Sequence, residues 1–179
     1  MRSSGHLLTT LRQFTSGMGR TQRVVRGKER GRCTSRLDSW TNAADGQSAV
    51  SSYRVSQNGG LNVRSGSVRN RQTDACWIVV TLDGRHVFTA NFGSGTISSY
   101  GFTPTGRLRL QDGTAASLGM LSQPVDLALS SDSGYLYLLL RGTGAVASFA
   151  IGDRGGLKPL GVEKGALPVA DGASGLAAY

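Results

Sequence analysis

The chain repeats one pattern of apolar residues three times, at intervals of 47 and 49 residues. The repeated positions are Val50, Tyr53 and Leu61, then Ile97, Tyr100 and Leu108, and finally Val146, Phe149 and Leu157. A unit of about 40 to 50 residues with alternating apolar positions and glycine-containing turns is typical of a β-propeller blade, which is a four-stranded sheet. The spacing therefore predicts an all-β chain made of successive blades.

The remaining half of the unit recurs at the same interval. Ile78, Val79 and Val80 correspond to Leu127, Ala128 and Leu129, and then to Leu176, Ala177 and Ala178. One unit divides into four predicted strands, which run from Cys76 to Thr81, His86 to Asn91, Thr96 to Phe102 and Arg107 to Gln111. Turn residues separate these strands at Asp83-Gly84, Gly93-Ser94-Gly95 and Pro104-Thr105-Gly106.

The number of units limits how much of a propeller this chain can form. We assign residues 42–73 to a partial blade, 74–123 and 124–173 to two full blades, and 174–179 to a closing inner strand. Propellers close with about four to eight blades, so this incomplete β-propeller of about two and a half four-stranded antiparallel blades leaves sheet faces and edges uncovered. Self-association through these exposed blade edges is the expected consequence.

Residues 1–41 lie outside the repeat and form a basic tail that we expect to be irregular and disordered. The first 40 residues carry nine Lys and Arg against Glu29 and Asp38, a net charge of +7, and the remainder carries +2, which together give +9. The tail lacks a groove-binding motif, so we expect no specific nucleic-acid partner. Its Arg- and Ser-rich composition is shared with mitochondrial transit peptides, and the alternative that we favour is unrelated sequence joined to a propeller fragment.

Composition gives little indication of a cofactor or a metal. Cys33 and Cys76 are far apart in sequence, and His6 and His86 are isolated, so no metal-ligand spacing is present. The two Gly-x-Gly segments lie between strands and lack a following helix, which makes them hairpin turns and not phosphate loops. No signal peptide or membrane span is visible, so we expect no membrane partner and take the cytoplasm as the default location.

Three segments carry a resemblance to a known family. They are Gln72-Thr73-Asp74-Ala75-Cys76-Trp77, then Thr81 to Arg85 with the sequence TLDGR, and Thr89 to Tyr100 with the sequence TANFGSGTISSY. With Pro124 to Ser130 and the Gly175-Leu176-Ala177-Ala178 ending, the stretch from 42 to 179 resembles the bacterial β-propeller lactonases. That family includes propeller-type 6-phosphogluconolactonases and 3-carboxymuconate cyclase-like relatives, and the resemblance implies seven-bladed rings of about twice this length.

The resemblance carries over no catalytic residue. A propeller binds its ligand at one mouth of the central channel, where inner strands and loops of several blades converge. Six residues at the predicted ends of the inner and second strands are therefore weak candidates for the channel side, and each also has an ordinary structural explanation: Asp74, Cys76, Trp77, Asn91, Asp126 and Arg141.

Two functions remain open from the sequence. The resemblance implies that the parent protein hydrolyses a small-molecule lactone of the 6-phosphogluconolactone type, while this chain, as a fragment, is expected to be inactive alone. The alternative is a non-catalytic propeller that serves as a binding or interaction module, because the same ring supports many unrelated functions.

Overall fold

The computed structural model describes residues 14–16, 20–25, 45–55, 58, 60–165, 167–169, 173 and 175–178. The described strands are β1 (Phe14–Ser16), β2 (Arg20–Val25), β3 (Ala49–Val55), β4 (Leu61–Arg69), β5 (Ala75–Val80), β6 (His86–Asn91), β7 (Thr96–Phe102), β8 (Leu108–Ser117), β9 (Pro124–Leu129), β10 (Tyr135–Leu140), β11 (Ala145–Ile151) and β12 (Leu157–Lys164). They form three antiparallel four-stranded sheets, in the order β1 to β4, β5 to β8 and β9 to β12. This arrangement confirms the prediction of an all-β, incomplete propeller.

The only helix in the described part of the chain is a 3₁₀ turn, Met120–Ser122, between the second and third sheets. The glycine-containing segments predicted as turns do connect the strands, at residues 82–84, 92–95 and 141–144 among others. Gly84, Gly95 and Gly144 have positive φ angles of 70°, 64° and 59°, which a residue with a side chain adopts at a cost.

The third strand of each sheet carries the same irregularity. The register between the third and fourth strands shifts after Ser52, Ser99 and Ser148, where one additional residue of the outer strand is accommodated as a bulge. The next residue in each case is aromatic, and Tyr53, Tyr100 and Phe149 pair with residues ten positions further along the chain. These three aromatic residues are therefore equivalent, as the repeat predicts.

The apolar core lies between successive sheets. Val50 of the first sheet packs with Val87, Tyr100 and Leu108 of the second. The opposite face of the second sheet contributes Val79, Phe88, Ala90 and Ile97 to a larger cluster, which also contains residues of the third sheet. The sheets thus pack face to face, and each needs its neighbour to bury its apolar residues.

The structure differs from the sequence prediction at both ends of the repeat. Residues 14–16 and 20–25 of the predicted irregular tail are strands, and β2 pairs with β3 through residues 22–25 and 51–54. These strands complete the first sheet, because β3 would otherwise have an unpaired backbone edge. The predicted closing strand at 174–179 is not a strand in its described residues, 175–178.

Candidate functional site

The candidate site lies at the rim, which we define as the edge where the inner strands β5 and β9 begin and the second strands β6 and β10 end. Two backbone hydrogen bonds form this edge, from Phe92 N to Asp74 O at 2.8 Å and from Arg141 N to Gln123 O at 3.2 Å. Asp74 and Gln123 have positive φ angles of 54° and 48° and are 49 residues apart. The same backbone conformation therefore precedes the inner strand of both the second and the third sheet. Asp74, Asn91 and Arg141 all lie at this edge.

Trp77 and Cys76 follow Asp74 in β5. Trp77 is half-buried and packs against the apolar cluster between the second and third sheets, which is the structural role that its sequence context also allowed. The side chain of Cys76 is outside the described part of the structure.

Asn91 is fully buried in a polar cluster between the first and second sheets. Its side-chain oxygen accepts a hydrogen bond from Asn70 Nδ2 at 2.9 Å, and its Nδ2 donates to Thr96 Oγ1 at 3.0 Å and Ser98 Oγ at 2.9 Å. Thr96 Oγ1 donates in turn to Gln72 Oε1 at 2.8 Å. The amide of Asn91 is thus engaged by protein groups, and it anchors the connection from β4 to β5.

Asp126 is also engaged by protein groups. Its carboxylate is buried at 4% exposure and accepts hydrogen bonds from Leu127 N at 2.7 Å and Leu176 N at 2.6 Å. The bond from Leu176 ties the segment 175–178 to the third sheet, although 50 residues separate the two partners.

Arg141 differs from the other rim candidates. It is half-buried in the turn between β10 and β11, and its guanidinium makes no hydrogen bond or ion pair with any residue that the structure describes. A guanidinium offers several donors in a planar array that matches a carboxylate or a phosphate. Arg141 is therefore the rim residue best suited to hold an anionic group.

Sequence reasoning missed the buried polar residues beside Asn91. Asn70, Thr89 and Tyr100 are 1%, 1% and 0% exposed, and the hydroxyls of Thr89 and Tyr100 have no hydrogen-bond partner among the described residues. Burial raises the pKa of the Tyr100 phenol, and its polar neighbours Thr89 and Asn70 offset only part of that effect. The sequence did contain a signal for these buried polar residues. The 49-residue repeat places the apolar residues Leu138 and Phe149 at the positions equivalent to Thr89 and Tyr100, so the second sheet carries hydroxyl groups where the third sheet does not.

Across the described ranges, no three His, Cys, Asp or Glu side chains are grouped closely enough to hold a metal ion. No helix in the same residues has the length and apolar character needed to cross a membrane.

The fold and the rim define this chain as part of a β-propeller. Residues 38–124 match the family described as "Lactonase, 7-bladed beta-propeller". Residues 38–124 are therefore similar to the seven-bladed β-propeller lactonase family, which confirms the resemblance found in the sequence. A search of curated proteins gave no match.

Solved structures support the same fold. The periplasmic gluconolactonase of Pseudomonas aeruginosa is 20% identical, with a TM-score of 0.56 over 86% of this chain and 42% of its own. A protein of Bacteroides fragilis assigned as a 6-phosphogluconolactonase is 18% identical, with a TM-score of 0.55 over 91% of this chain and 55% of its own. This chain therefore spans about half the length of these structures, and at such identity the likeness establishes the fold alone.

Proposed function

We propose that this chain is a segment of a lactone-hydrolysing propeller, and that by itself it does not accelerate lactone hydrolysis. The observation that carries this proposal is the open series of three sheets, in which no described strand of the first sheet pairs with the third. A propeller site at the channel mouth draws its groups from several blades. The described rim offers the ends of only β5, β6, β9 and β10, where Asn91 and Asp126 already bind protein groups.

Arg141 contributes substrate binding in this proposal. Its guanidinium holds the phosphate or carboxylate of a sugar-acid lactone, and a complete ring supplies a base to activate water and donors to stabilise the developing oxyanion. The family match and the gluconolactonase among the similar structures support this class of substrate.

Two measurements on the purified chain test the proposal. The first follows acid release from 6-phosphogluconolactone and from a simple γ-lactone, with the uncatalysed rate measured in parallel. We expect no acceleration above that rate. Saturable hydrolysis by the purified chain would overturn the proposal if Arg141→Ala abolished it. The exposed residue Arg109 provides the control, since Arg109→Ala should leave such hydrolysis unchanged.

The second measurement distinguishes the alternative function, a binding module without chemistry. This alternative is favoured by the structural use of Asn91 and Asp126, which leaves binding groups at the rim without an evident catalytic pair. Isothermal titration with 6-phosphogluconate, the stable hydrolysis product, is expected to show no binding if the channel mouth requires binding groups from further blades. Saturable binding without turnover would instead identify a binding module.

A further inference from the structure

An open groove lies between the last strands of the second and third sheets. We call the face of each sheet that bears Tyr53, Tyr100 or Phe149 its front face, and the opposite face its rear face. The front face of the third sheet packs on the rear face of the second, because Phe149 and Ile97 share one apolar cluster. Toward the last strands this packing is incomplete, and a groove of about 530 Å³ remains between β8 and β12.

The equivalent space between the first and second sheets is closed by direct contacts. Leu108 N donates a hydrogen bond to Ser65 Oγ at 2.9 Å, and Gln72 Nε2 donates one to Thr114 Oγ1 at 3.1 Å. These bonds hold β4 and the connection that follows it against β8, whereas no hydrogen bond joins β8 to β12 in the part of the chain that the structure describes. Accordingly, Leu108 is 5% exposed and its equivalent Leu157, 49 residues later, is half-buried.

The walls of this groove are apolar over most of their length. Ala116 and Leu118 line one side, and Phe149 and Leu157 line the other. All four belong to the apolar cluster between these two sheets or pack against it. Val162 adds a further apolar side chain from β12, which is 52% exposed. A polar ligand would lose hydrogen bonds to water against such walls, so the groove favours a ligand with an apolar body.

One end of the groove is polar. Ser117 and Lys164 line the groove at the ends of β8 and β12, and Thr143 lines it from the turn between β10 and β11. The ammonium group of Lys164 makes no ion pair or hydrogen bond with any residue that the structure describes. The neighbouring Glu163 projects from the rear face, because successive residues of a strand point to opposite faces. A cation and two hydroxyl groups at one end are complementary to a carboxylate.

We propose that this groove binds an aliphatic carboxylate, with its acyl chain between β8 and β12 and its carboxylate at Lys164. The lining residues extend along β12 from Leu157 to Lys164, a distance of about 23 Å at about 3.3 Å per residue. An extended acyl chain matches this shape, because it requires no hydrogen bonds along its length and gains free energy as its methylene groups leave water.

This inference does not rest on the proposed lactonase relationship. The rim candidates Asn91, Asp126 and Arg141 do not line the groove. Lactone hydrolysis and carboxylate binding are therefore measured on different residues, and either can fail without the other. The competing occupant is a segment of the polypeptide itself, in which case the purified chain binds no added carboxylate and the proposal is overturned.

A series of fatty acids gives the first test. The purified chain is titrated with octanoate, decanoate and dodecanoate in a calorimeter, with each acid kept below the concentration at which it forms micelles. We expect one molecule to bind per chain, with an affinity that rises by about fourfold for each added methylene group. No saturable binding, or an affinity that does not depend on chain length, overturns the proposal.

Two lysines of the same strand test the position of the carboxylate. Lys164→Gln should weaken the binding of decanoate by about 3- to 10-fold and leave the binding of 1-decanol unchanged, because the alcohol carries no charge. Lys158→Gln is the matched control, since Lys158 is exposed and pairs with Ala150, which places it on the rear face of β12. Equal effects of the two substitutions on decanoate would contradict the proposed position.

Two exposed valines test the position of the acyl chain. Val162→Asp should weaken both decanoate and 1-decanol by about tenfold or more, because it places a charged group beside the apolar chain. Val63→Asp is the matched control, since Val63 is 63% exposed on β4 of the first sheet. Both valines are more than half exposed, and circular dichroism should show that both variants retain their β structure. If the folded Val162→Asp variant binds decanoate as tightly as the control does, the ligand lies elsewhere and the proposal is refuted.

Discussion

Gly95 offers the most demanding test of how the sheets are joined, because two separate constraints meet at this residue. Its φ angle is 64°, in the region that disfavours any residue with a Cβ atom. A Cβ atom at this position would also lie well within 3.0 Å of the carbonyl oxygen of Gly119, closer than Cβ atoms approach other atoms in real proteins. Gly95→Ala therefore combines backbone strain with a steric clash against backbone atoms of the connection between β8 and the 3₁₀ turn.

Two other glycines isolate these constraints. Gly84 has a φ angle of 70° and open space where an added methyl group would lie, so Gly84→Ala tests strain alone. Gly142 lacks a positive φ angle, but a Cβ atom there would overlap the carbonyl oxygen of Leu121, so Gly142→Ala tests the clash alone. We expect losses of unfolding free energy of about 1–2 kcal/mol for strain and about 1–3 kcal/mol for overpacking.

The loss for Gly95→Ala should then be about 2–5 kcal/mol, the sum of the two. Urea denaturation followed by circular dichroism, at one fixed protein concentration, measures all three variants against the parent chain. The order of stability should be the parent, then the two single-constraint variants, then Gly95→Ala. If Gly95→Ala costs no more than Gly84→Ala, the close approach of the Gly119 connection to the β6–β7 turn is refuted.

Three further predictions concern polar side chains. Tyr100→Phe should leave stability unchanged or raise it by up to about 1 kcal/mol in the urea assay, because it removes a buried hydroxyl that lacks a partner among the described residues; a larger loss would contradict this. Asn91→Leu should cost about 1–3 kcal/mol in the same assay, because Asn70 loses its acceptor; an unchanged midpoint would show that the cluster is not structural. Partial burial would raise the pKa of Asp83, but hydrogen bonds from Thr81 and Arg85 lower it from 3.8 to about 2. The carboxylate of Asp83 thus stabilises the fold above about pH 4 and loses that effect as pH falls toward 2, so the stability difference from Asp83→Asn, below about 1 kcal/mol at this exposed site, should shrink over that window.

The strands of the second and third sheets could be predicted because local signals agree there. Ile97 and Tyr100 of β7 recur as Val146 and Phe149 of β11, and glycines with positive φ mark the turns that precede both strands. The bulge beside Tyr100 could not be predicted, because the single additional residue on β8 is visible only in the pairing with β7. β2 was missed for a related reason, since its place in the first sheet follows from the unpaired edge of β3 and not from any repeat of the pattern.

The candidate site was harder to predict than the fold. The sequence places Asp74, Asn91 and Arg141 near strand ends, and these ends share one edge because the strands of a sheet alternate in direction. It does not indicate which candidate side chains already form hydrogen bonds within the protein. Asn91 is engaged by Asn70 and Asp126 by the backbone of Leu176, 21 and 50 residues away. Such pairings depend on the packing of one sheet or segment against another, which strand periodicity does not encode.

The polar cluster around Asn91 is a property of one interface and not of the propeller fold. Five consecutive front-face positions of the second sheet carry polar groups, and the third sheet has apolar residues at every equivalent position. The pairs are Thr89 with Leu138, Asn91 with Leu140, Thr96 with Ala145, Ser98 with Ala147 and Tyr100 with Phe149.

The backbone geometry therefore accepts either kind of interface, and the two interfaces are held together by different forces. Apolar burial between the second and third sheets is strong but has little directional preference. Hydrogen bonds from Asn70 to Asn91 and Ser98, at 2.9 and 3.0 Å, require one relative position of the first and second sheets. Because Asn70 lies on the connection that leads to Asp74, this cluster fixes where the inner strand β5 begins. Asn91 thus affects the rim by positioning its backbone, and Arg141 is the rim side chain that we propose to bind a ligand.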